Sequence, residues 1–524
     1  MRVLFIYPSI DCPAGTSHGL AALSAVLKRA GHETALIHVN GELGPIPSNR
    51  EIVERIRSSR PGLVGLSAMS QQYEWTCALA RDVRAAGLRV PLCIGGVHAT
   101  MVPEEVARSG LFDYVVVGEA EHALVELVRR IERGEDATSV PNVWVHRPGA
   151  EPVRNPVGPF PDLASLPELD WELFDMARIL EVKNGWLSVL TSRGCPYTCT
   201  YCFNREIVER YVADGAAKGV KEYLRRYPID RVLEEIGRLK DRHPIVNTVI
   251  FDDDLFTLDK AYVLEFCERY ARSGIGLPFV VNAHVQVFGD EIARALKAAG
   301  CRIVKFGLES GSERVRREIL WRRMTNETIE RALAAAHRHG LHTSAFVMFG
   351  LPTETRDEVL ETLRLCAKVK VGRFRWALFF PFPGTAGYAM AKDLGLIDFE
   401  KMKRLGNYFD GTCLKFGEEH DLWLEKVAKA CNWWVNALSD WPSASRYREL
   451  VAEIEALDRE AWEARKRTVL AEDAEISEDL LEAGMPHYSI RYSHVMGVRS
   501  DFVLEERERG VRAGAAGSLR YALD

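Results

Sequence analysis

The sequence lacks a long apolar run. No uninterrupted apolar stretch approaches the roughly 20 residues that a helix needs to cross a bilayer. The apolar opening, MRVLFIYPSI, is too short for a secretion signal and indicates a strand that begins a domain. We therefore expect a cytoplasmic protein with no membrane span.

The chain also lacks an excess of basic residues. Its 68 Lys and Arg stand against 74 Asp and Glu, for a formal net charge of −6. Proteins that bind nucleic acid by neutralising phosphates usually carry a basic face. We therefore expect no nucleic-acid partner.

Cysteine is sparse and, with one exception, scattered. Eight of the eleven cysteines stand singly in apolar or helical stretches, which is typical of buried thiols in a reducing compartment. The other three, Cys195, Cys199 and Cys202, fall within GCPYTCTYCFN, residues 194–204. Only this concentration of thiols requires a special chemistry.

Residues 1–145 alternate short β-branched runs with amphipathic segments. The runs RVLFIYP, ETALIHVN, GLVGLSA, VPLCIGG and FDYVVVGE predict a parallel, doubly wound α/β domain. Ligands of such sheets bind outside the carboxyl ends of the strands. The turns that would hold a ligand contain Ser67, Gly95, Gly96, Gly118 and Glu119. For any single glycine of this set, a tight turn is an equally good explanation.

A proline-rich connector, residues 146–183, precedes a second α/β series over residues 184–404. The predicted strands are WLSVLTS, NTVIFDD, PFVVNAHV, RIVKFGLES, TSAFVMFG and FRWALFFPF. Six strand–helix units are too few for an eight-fold barrel, so we expect a partial (β/α)6 barrel. Chemistry in barrels lies at the carboxyl ends of the strands, and the cysteine cluster follows the first of them.

Residues 405–524 form a predicted helical domain, since apolar residues recur there at spacings of three and four. Its tryptophans, Trp433, Trp434 and Trp441, are better explained by packing than by stacking on a substrate, because Trp434 and Trp441 lie seven residues apart. We expect the tail after residue 505 to be loosely ordered.

Three thiolates spaced by four and three residues converge only from a curled loop, because on one helix Cys195 would lie about two turns from Cys202. Iron–sulfur clusters use cysteines in short runs of this kind. A cubane has four irons and no fourth cysteine is near, so one iron would be free to bind a small molecule. A structural zinc site and three unligated core cysteines are the alternatives.

The stretch CPYTCTYC resembles the CxxxCxxC signature of the radical S-adenosylmethionine (SAM) enzymes. The resemblance continues in order through FDDDLF, GLESGSE, FGLPTET and PFPGT, over residues 185–390. It implies a [4Fe-4S] cluster on Cys195, Cys199 and Cys202, with SAM chelated by the free iron through its amino and carboxylate groups. An electron from the cluster would cleave SAM to methionine and a 5′-deoxyadenosyl radical.

The same resemblance implies a set of SAM contacts. They are Tyr201 near the adenine, Asp253 and Asp254 at the methionine amino group, Glu309 at the ribose or methionine, Asn282, and Gly350 in a turn under the adenine. A solvated carboxylate turn remains an alternative for the acidic run. A salt bridge to Arg314 or Arg316 remains an alternative for Glu309.

Residues 1–145 resemble the Rossmann-like cobalamin-binding module that is fused to many radical SAM enzymes. The resemblance rests on HGLAALSAVLKRAGHETALIHVN, LVGLSAMS, IGGVHAT and VVVGEAE. It implies cobalamin contacts at Ser67, Met69, Gln72, Gly95, Gly96, His98, Gly118 and Glu119. A nucleotide-binding domain is the alternative, but no GxGxxG follows the first strand.

One departure from this module concerns the cobalt ligand. The first loop, PSIDCPAGTSHG, lacks the DxHxxG whose histidine binds cobalt. The lower axial face is thereby left to residues after the third strand, Met69, Gln71, Gln72 and Tyr73. We expect His98 to contact the corrin edge or to cap a turn.

The combined resemblance implies a methyltransferase that moves a methyl group from methylcobalamin to an unactivated carbon of a small-molecule or peptide substrate. An electron donor such as flavodoxin or ferredoxin would reduce the cluster. The alternative with the same cofactors is an oxidative cyclase or rearrangement enzyme. A methylthiotransferase and a non-catalytic cobalamin sensor are weaker alternatives. Neither the substrate nor an acid–base residue can be named from the sequence.

Overall fold

The computed structural model describes residues 1–405, 407–409 and 411–509. The chain divides into two compact units. Unit 1 comprises Met1–Asn247, Asp252–Asp254 and Pro381–Ala389, and unit 2 comprises residues 248–251, 255–380 and the described residues from 390 onward. Among the described residues, no helix combines the length and the apolar character that crossing a membrane demands.

Unit 1 begins with a six-stranded sheet in the order β2-β1-β3-β4-β5-β6. The strands are β1 (Arg2–Pro8), β2 (Glu33–Val39), β3 (Leu63–Ser67), β4 (Leu92–Gly95), β5 (Tyr114–Val116) and β6 (Val143–Val145). The first five are parallel, and β6 runs antiparallel to β5. The doubly wound α/β domain predicted from the sequence is confirmed.

Helices connect these strands. They are α1 (His18–Arg29), α2 (Asn49–Ser59), α3 (Tyr73–Ala85), α4 (Val97–Met101), α5 (Pro103–Arg108) and α6 (Glu121–Arg133). Ser48 begins α2 with a capping box that it shares with Glu51, and Gly134 ends α6 in the left-handed conformation. The apolar faces of these helices cover the sheet, so the core of the domain lies on both sides of it.

The remainder of unit 1 carries the cysteine loop. Its elements are α7 (Met176–Val182), β7 (Trp186–Val189), β8 (Ser192–Arg193), α8 (Phe203–Ala213), α9 (Val220–Tyr223), β9 (Arg225–Arg226) and α10 (Ile229–Arg242). Strands β8 and β9 pair antiparallel. The cysteines therefore lie between a short two-stranded ribbon and the start of a helix.

Unit 2 is built on a largely parallel sheet, in which its strands follow the order β15-β16-β14-β13-β12-β11-β10. The strands are β10 (Thr248–Phe251), β11 (Phe279–Ala283), β12 (Cys301–Glu309), β13 (His342–Phe349), β14 (Arg373–Leu378), β15 (Tyr488–Ile490) and β16 (Met496–Arg499). Strands β10 to β14 are parallel, and β16 is antiparallel to β14. With β7, all six strands predicted for the second α/β series are present.

Helices alternate with these strands and then dominate the C-terminal part. They are α11 (Lys260–Arg272), α12 (Asp290–Ala298), α13 (Asn326–Arg338), α14 (Arg356–Lys368), α15 (Ala386–Asp393), α16 (Phe399–Arg404), α17 (Glu418–Ala437), α18 (Ala444–Ala456), α19 (Arg459–Arg465), α20 (Val469–Glu482) and α21 (Ser500–Glu508). Thr355 begins α14 with a capping box to Glu358. The helical C-terminal region predicted from the sequence is present.

The C-terminal region differs from the expectation in two respects. It also contains β15 and β16, which extend the sheet, because strands of three and four residues give no readable periodicity. The chain after residue 505 is helical to Glu508, and the rest of the expected loose tail, residues 510–524, lies outside the described residues. The boundaries 1–145, 146–183, 184–404 and 405–524 stay a prediction.

Candidate functional site

The cysteine loop is curled by its own backbone. The N–H of Cys202 donates to the carbonyl of Cys199 at 3.1 Å, and Cys202 is the N-cap of α8. A second bond, from the N–H of Gly387 to the carbonyl of Thr200 at 2.7 Å, ties the loop to residues 381–389 of the same unit. Cys199 is buried, whereas Cys195, Tyr201 and Cys202 are partly exposed. The loop thus offers three thiols and an aromatic side chain from eight consecutive positions.

These three thiols are not gathered as the ligands of a single ion would be. In the part of the chain that the structure describes, no three His, Cys, Asp or Glu side chains are gathered so that they could hold one metal ion. Three cysteines on one short loop are the donor set of a [4Fe-4S] cluster with one iron left open. Burial raises the pKa of the Cys202 thiol to about 12, and bound iron would reverse this by stabilising the thiolate.

The carboxylates of Asp253 and Asp254, in the acidic turn after β10, have different hydrogen-bond partners. Asp253 is fully buried and accepts hydrogen bonds from the N–H and hydroxyl of Thr191, at 3.1 and 2.7 Å, and from the hydroxyl of Ser192. Asp254 accepts bonds from the side chain of Asn204 and the backbone of Gly194, at the cysteine loop. Burial raises the pKa of the Asp253 carboxyl group, whereas Asp254 is exposed. Asp253 fixes the turn, and Asp254 is the one that reaches the loop.

In unit 2, three predicted residues follow neighbouring strands. Asn282 lies near the end of β11 and is partly exposed, Glu309 ends β12, and Gly350 follows β13 in a turn with φ +70°. Because the strands are parallel and adjacent, their carboxyl ends lie at one edge of the sheet. The structure therefore brings Asn282, Glu309 and Gly350 to the same edge.

Glu309 is held in an unusual conformation. Its φ is +63°, and the register between β12 and β13 shifts at this point, so the strand bulges. Its Oε1 and Nη2 of Arg322 lie 2.5 and 3.3 Å from the place that a Cβ of residue 307 would occupy. Gly307 therefore leaves room for a carboxylate beside a buried guanidinium.

The salt bridges that the sequence left open for Glu309 are formed with other partners. Arg314 pairs with Glu358 at 2.7 Å. Arg316 donates to the carbonyls of Ser310 and Met324 and, at 2.7 Å, to Oδ1 of Asn326. Arg322, which sequence reasoning missed, is instead the cation beside Glu309.

The turn around Gly350 contains a buried acid that the sequence did not single out. Oε2 of Glu354 accepts the N–H of Leu351 at 3.1 Å, while its Oε1 is buried without a hydrogen-bond partner among the described residues. Burial raises the pKa of Glu354 to about 8, so its carboxyl is largely protonated at neutral pH. A neutral acid here closes the turn without adding charge.

The N-terminal sheet holds a cavity of about 350 Å³ at the carboxyl ends of its strands. Six of the eight predicted cobalamin contacts line it, namely Ser67, Met69, Gly95, Gly96, Gly118 and Glu119. Its floor is apolar and includes Phe5, Leu20 and Leu66. A concave, mostly apolar pocket with glycines at its mouth fits a large planar cofactor whose tail enters a domain.

Gly96 is essential to the shape of this cavity. Its φ is +94°, and a Cβ at this position would lie 2.9 Å from the carbonyl oxygen of Ala68 and 3.0 Å from the nitrogen of Ala68. Any other residue would be both strained and crowded by backbone. The bare backbone at Gly96 keeps the mouth of the cavity open.

The two remaining predicted contacts, Gln72 and His98, lie outside the cavity lining. Gln72 is buried and donates to the carbonyl of Ile10 at 2.8 Å. His98 is buried, with Nδ1 3.1 Å from the hydroxyl of Ser70 and its ring centroid 4.1 Å from that of Tyr73. Burial lowers the pKa of His98 to about 4, so the ring is neutral. Their contacts with cobalamin stay predictions.

The rim of the cavity is tied to the cysteine loop by ion pairs that the sequence analysis missed. Nη1 of Arg193 lies 2.8 Å from Oε2 of Glu119 and 2.6 Å from Oε1 of Glu121, and Arg225 also pairs with Glu119. Burial opposes ionisation of Glu119, but the two guanidinium groups outweigh it and hold its pKa below the usual value. The hydroxyl of Tyr211 completes the link by accepting the N–H of Glu119 at 2.9 Å.

Family models match both parts of the chain. The B12 binding domain model matches residues 14–128, and the Radical SAM superfamily model matches residues 189–366. The first range contains the cavity and its glycine turns. The second contains the cysteine loop, the acidic turn, Asn282, Glu309 and Gly350.

Known proteins resemble the chain over most of its length. An uncharacterized methyltransferase of Pyrococcus horikoshii is 27% identical over 75% of this chain and 84% of its own. The anaerobic magnesium-protoporphyrin IX monomethyl ester cyclase of Rubrivivax gelatinosus is 25% identical over 76% of this chain and 72% of its own. The solved structure of the cobalamin-dependent S-adenosylmethionine radical enzyme OxsB, with aqua-cobalamin and S-adenosylmethionine bound, has a TM-score of 0.64 at 15% identity, over 92% of this chain and 75% of its own.

Proposed function

We infer that the chain is a cobalamin-dependent radical SAM enzyme, since it carries a B12-binding domain at residues 14–128 and a radical SAM domain at residues 189–366. Its cofactors are a [4Fe-4S] cluster, SAM and cobalamin. When bound, they supply the electron that cleaves SAM and the methyl group for transfer. Among the reactions that this class carries out, methyl transfer to carbon is the better supported, because the P. horikoshii relative is a methyltransferase.

The cluster is assigned to Cys195, Cys199 and Cys202. The single observation that carries this assignment is the curled loop, in which Cys202 bonds back to Cys199 and begins α8. The backbone bond from Gly387 to Thr200 anchors the loop to residues 381–389 and so restricts its conformation.

SAM is assigned to two groups of residues. Tyr201 and Asp254 belong to the cysteine loop and the turn bonded to it, and Asp254 is the carboxylate available for the SAM amino group. Asp253 acts through Thr191 and Ser192, as a residue that positions the turn. Within unit 2, Asn282, Glu309 and Gly350 are proposed as SAM contacts on the resemblance alone, with Arg322 as an added candidate for the SAM carboxylate.

Cobalamin is assigned to the cavity of the N-terminal sheet. Ser67, Gly95 and Gly96 line the mouth, where bare backbone allows close approach. Met69 is exposed and lines the cavity, so it would be the candidate ligand for the cobalt, whereas Gln72 is committed to Ile10. His98 is bonded to Ser70, so the only cobalamin contact that we propose for it is with the edge of the corrin.

The substrate is a small molecule or a peptide, and the reductant is a protein such as flavodoxin or ferredoxin. Free thiols and an oxygen-sensitive cluster fit a reducing cytoplasm. No acid–base residue is assigned to the methyl transfer.

A second candidate function, oxidative cyclisation, is favoured by the R. gelatinosus relative, which is a cyclase of similar identity and coverage. The reduced holoenzyme, incubated anaerobically with methyl-deuterated SAM, methylcobalamin and candidate substrates, separates the two. A product that gains one deuterated methyl group supports methyl transfer. A product that loses hydrogen and gains no label, with 5′-deoxyadenosine formed, supports cyclisation.

A further inference from the structure

Helices cover one face of the unit 2 sheet. The other face is open in the half that lies near the carboxyl ends of the strands. In β13 the alternate residues Ala345, Val347 and Phe349 are buried, whereas Phe346 and Met348 on the other face are partly exposed. Side chains alternate between the faces of a strand, so exposure confined to Phe346 and Met348 marks a face that is not packed against a core. The open face begins near the carboxyl ends of the strands.

Arg375 of β14 lies on this open face. Its neighbour Trp376 points to the helices, because its Nε1 donates to the carbonyl of Ala428 in α17 at 2.7 Å. The register places Arg375 beside Phe346, and Phe346 beside Gly307. A guanidinium, an aromatic ring and a position without a side chain therefore stand in one row across three strands.

Arg375 has no ionic partner among the described residues. Its Nε is buried without a hydrogen-bond partner among the described residues, and its guanidinium carbon lies 4.8 Å from the centroid of the Phe409 ring. Burial lowers the pKa of Arg375, opposed by the phenol of Tyr408. Arg373, two residues earlier on the same face, has Glu506 at 3.5 Å instead. Arg375 is thus a partly buried cation to which the described residues give no ionic partner.

An uncompensated buried charge is costly, so the protein pays a penalty in stability at this position. Lys305 and Arg322 place further cationic groups on this face, where the carboxylate of Glu309 lies beside Arg322 at Gly307. Cationic and apolar groups therefore lie next to one another here. Such a combination suits a ligand with an apolar body and a negatively charged end.

We propose that Arg375 binds an anionic group of the substrate, a carboxylate or a phosphate, and that Phe346 and Met348 contact the apolar part next to it. A guanidinium can hold either group through two parallel N–H···O bonds. The inference rests on the proposed function, because it names the class of substrate that the enzyme takes. It makes Arg375 a residue that determines specificity.

The test compares benzoate with benzamide, which have the same shape and differ in charge. Their affinities for the full-length holoenzyme are measured by isothermal titration calorimetry, with SAM present at saturation so that its own carboxylate cannot be the anion bound. Benzoate is expected to bind at least about tenfold more tightly than benzamide, as a charge-assisted hydrogen-bonded pair gives. Phenylphosphonate, measured in parallel, decides between carboxylate and phosphate as the preferred group.

Two variants assign the preference to one residue. In Arg375→Gln the preference for benzoate disappears, so that benzoate and benzamide bind with about equal affinity. In Arg272→Gln, which removes an exposed arginine of α11 paired with Glu268, the preference is unchanged. Equal affinities in the unaltered protein, or a preference that survives Arg375→Gln, would overturn the proposal. A preference that appears only without SAM would assign Arg375 to SAM and overturn it as well.

Stability provides a second readout. Without an anion, Arg375→Met exchanges an uncompensated cation for an apolar side chain of similar length, so the melting temperature stays unchanged or rises. A fall of several degrees would show that Arg375 is structural. Neither experiment needs a reduced cluster or turnover. Failure of SAM cleavage would thus reject the proposed function alone, whereas failure of the benzoate preference would reject this inference alone.

Discussion

Arg193 and Glu121 form a buried ion pair across 72 residues of sequence, with Nη1 and Oε1 2.6 Å apart. Arg193 ends β8, directly before the cysteine loop, and Glu121 begins α6, beside the cavity of the N-terminal sheet. The pair therefore fixes the start of the cysteine loop to the B12-binding domain. Glu119 and Arg225 extend it to four charges that balance one another.

Removing Arg193 should be strongly destabilising, because Glu119 and Glu121 would keep buried charges with less compensation. We expect Arg193→Met to lower the free energy of unfolding by about 3 kcal/mol, measured by urea denaturation at pH 7. Arg178→Met, which breaks an exposed pair with Glu181, is the control and should cost less than about 1 kcal/mol. Equal losses in the two variants would contradict a special role for the buried pair.

Gly96→Ala should weaken cobalamin binding at least tenfold, since the added Cβ meets the backbone of Ala68 at the mouth of the cavity. Equilibrium dialysis with hydroxocobalamin measures this. Gly87→Ala is a matched control, because Gly87 also has a positive φ, +75°, but open space where a Cβ would lie. Both variants carry backbone strain of about 1 kcal/mol or more, and only Gly96→Ala should lose the cofactor. Equal loss in both would mean that strain alone is responsible.

Changes to the two carboxylates of the acidic turn should affect different measurements: SAM affinity for Asp254 and protein stability for Asp253. Asp254→Asn is expected to raise the Kd for SAM about tenfold and to leave the melting temperature unchanged. Asp253→Ala leaves the donors of Thr191 and Ser192 unpaired in a buried site, so it should cost about 2 to 3 kcal/mol of stability. If Asp253→Asn, which keeps the shape, abolishes SAM binding while Asp254→Asn does not, the assignment is reversed.

Glu354 should make stability fall as the pH rises. Its folded pKa of about 8 lies above the unfolded value near 4.5, so the protonated carboxyl stabilises the fold below pH 4.5, and this contribution is lost progressively up to pH 8. The loss is on the order of 4 kcal/mol. Glu354→Gln does not titrate and should be stabilised relative to the unaltered protein at pH 8 but not at pH 4.5.

Urea denaturation of both proteins at the two pH values checks this expectation. Glu460→Gln, at an exposed position of α19, provides the control for a change of charge alone. A pH dependence of stability that is the same in Glu354→Gln and in the unaltered protein would show that Glu354 is ionised in the fold.

Local patterns in the sequence were enough for the longer strands of the two α/β series and for the curled cysteine loop, but not for the short strands β6, β8, β9, β15 and β16. The β-branched runs and the glycine-ended helices of both sheets are local signals, and the spacing of Cys195, Cys199 and Cys202 specifies a donor set by itself. The predicted carboxyl ends of the parallel strands also define one edge of the sheet, so Glu309 and Gly350 could be assigned to that edge from the sequence.

The remaining features depend on contacts between distant segments. Arg193 stands next to the cysteine motif, yet its partners Glu119 and Glu121 lie more than 70 residues earlier, and no periodicity links them. The division of labour between Asp253 and Asp254 follows from the path of β7 and β8, which adjacent identical residues cannot reveal. Arg375 is conspicuous only because none of the described residues pairs a carboxylate with it.

The central claim is that three cysteines hold a cluster that cleaves SAM. The most direct test is the amount of 5′-deoxyadenosine formed per polypeptide by the anaerobically reconstituted, reduced protein with SAM. We predict that the unaltered protein and Cys12→Ser, a thiol outside the loop, form it, while Cys195→Ser, Cys199→Ser and Cys202→Ser form none. Formation of 5′-deoxyadenosine by any of these three variants, or its absence from the reconstituted unaltered protein, would contradict the account.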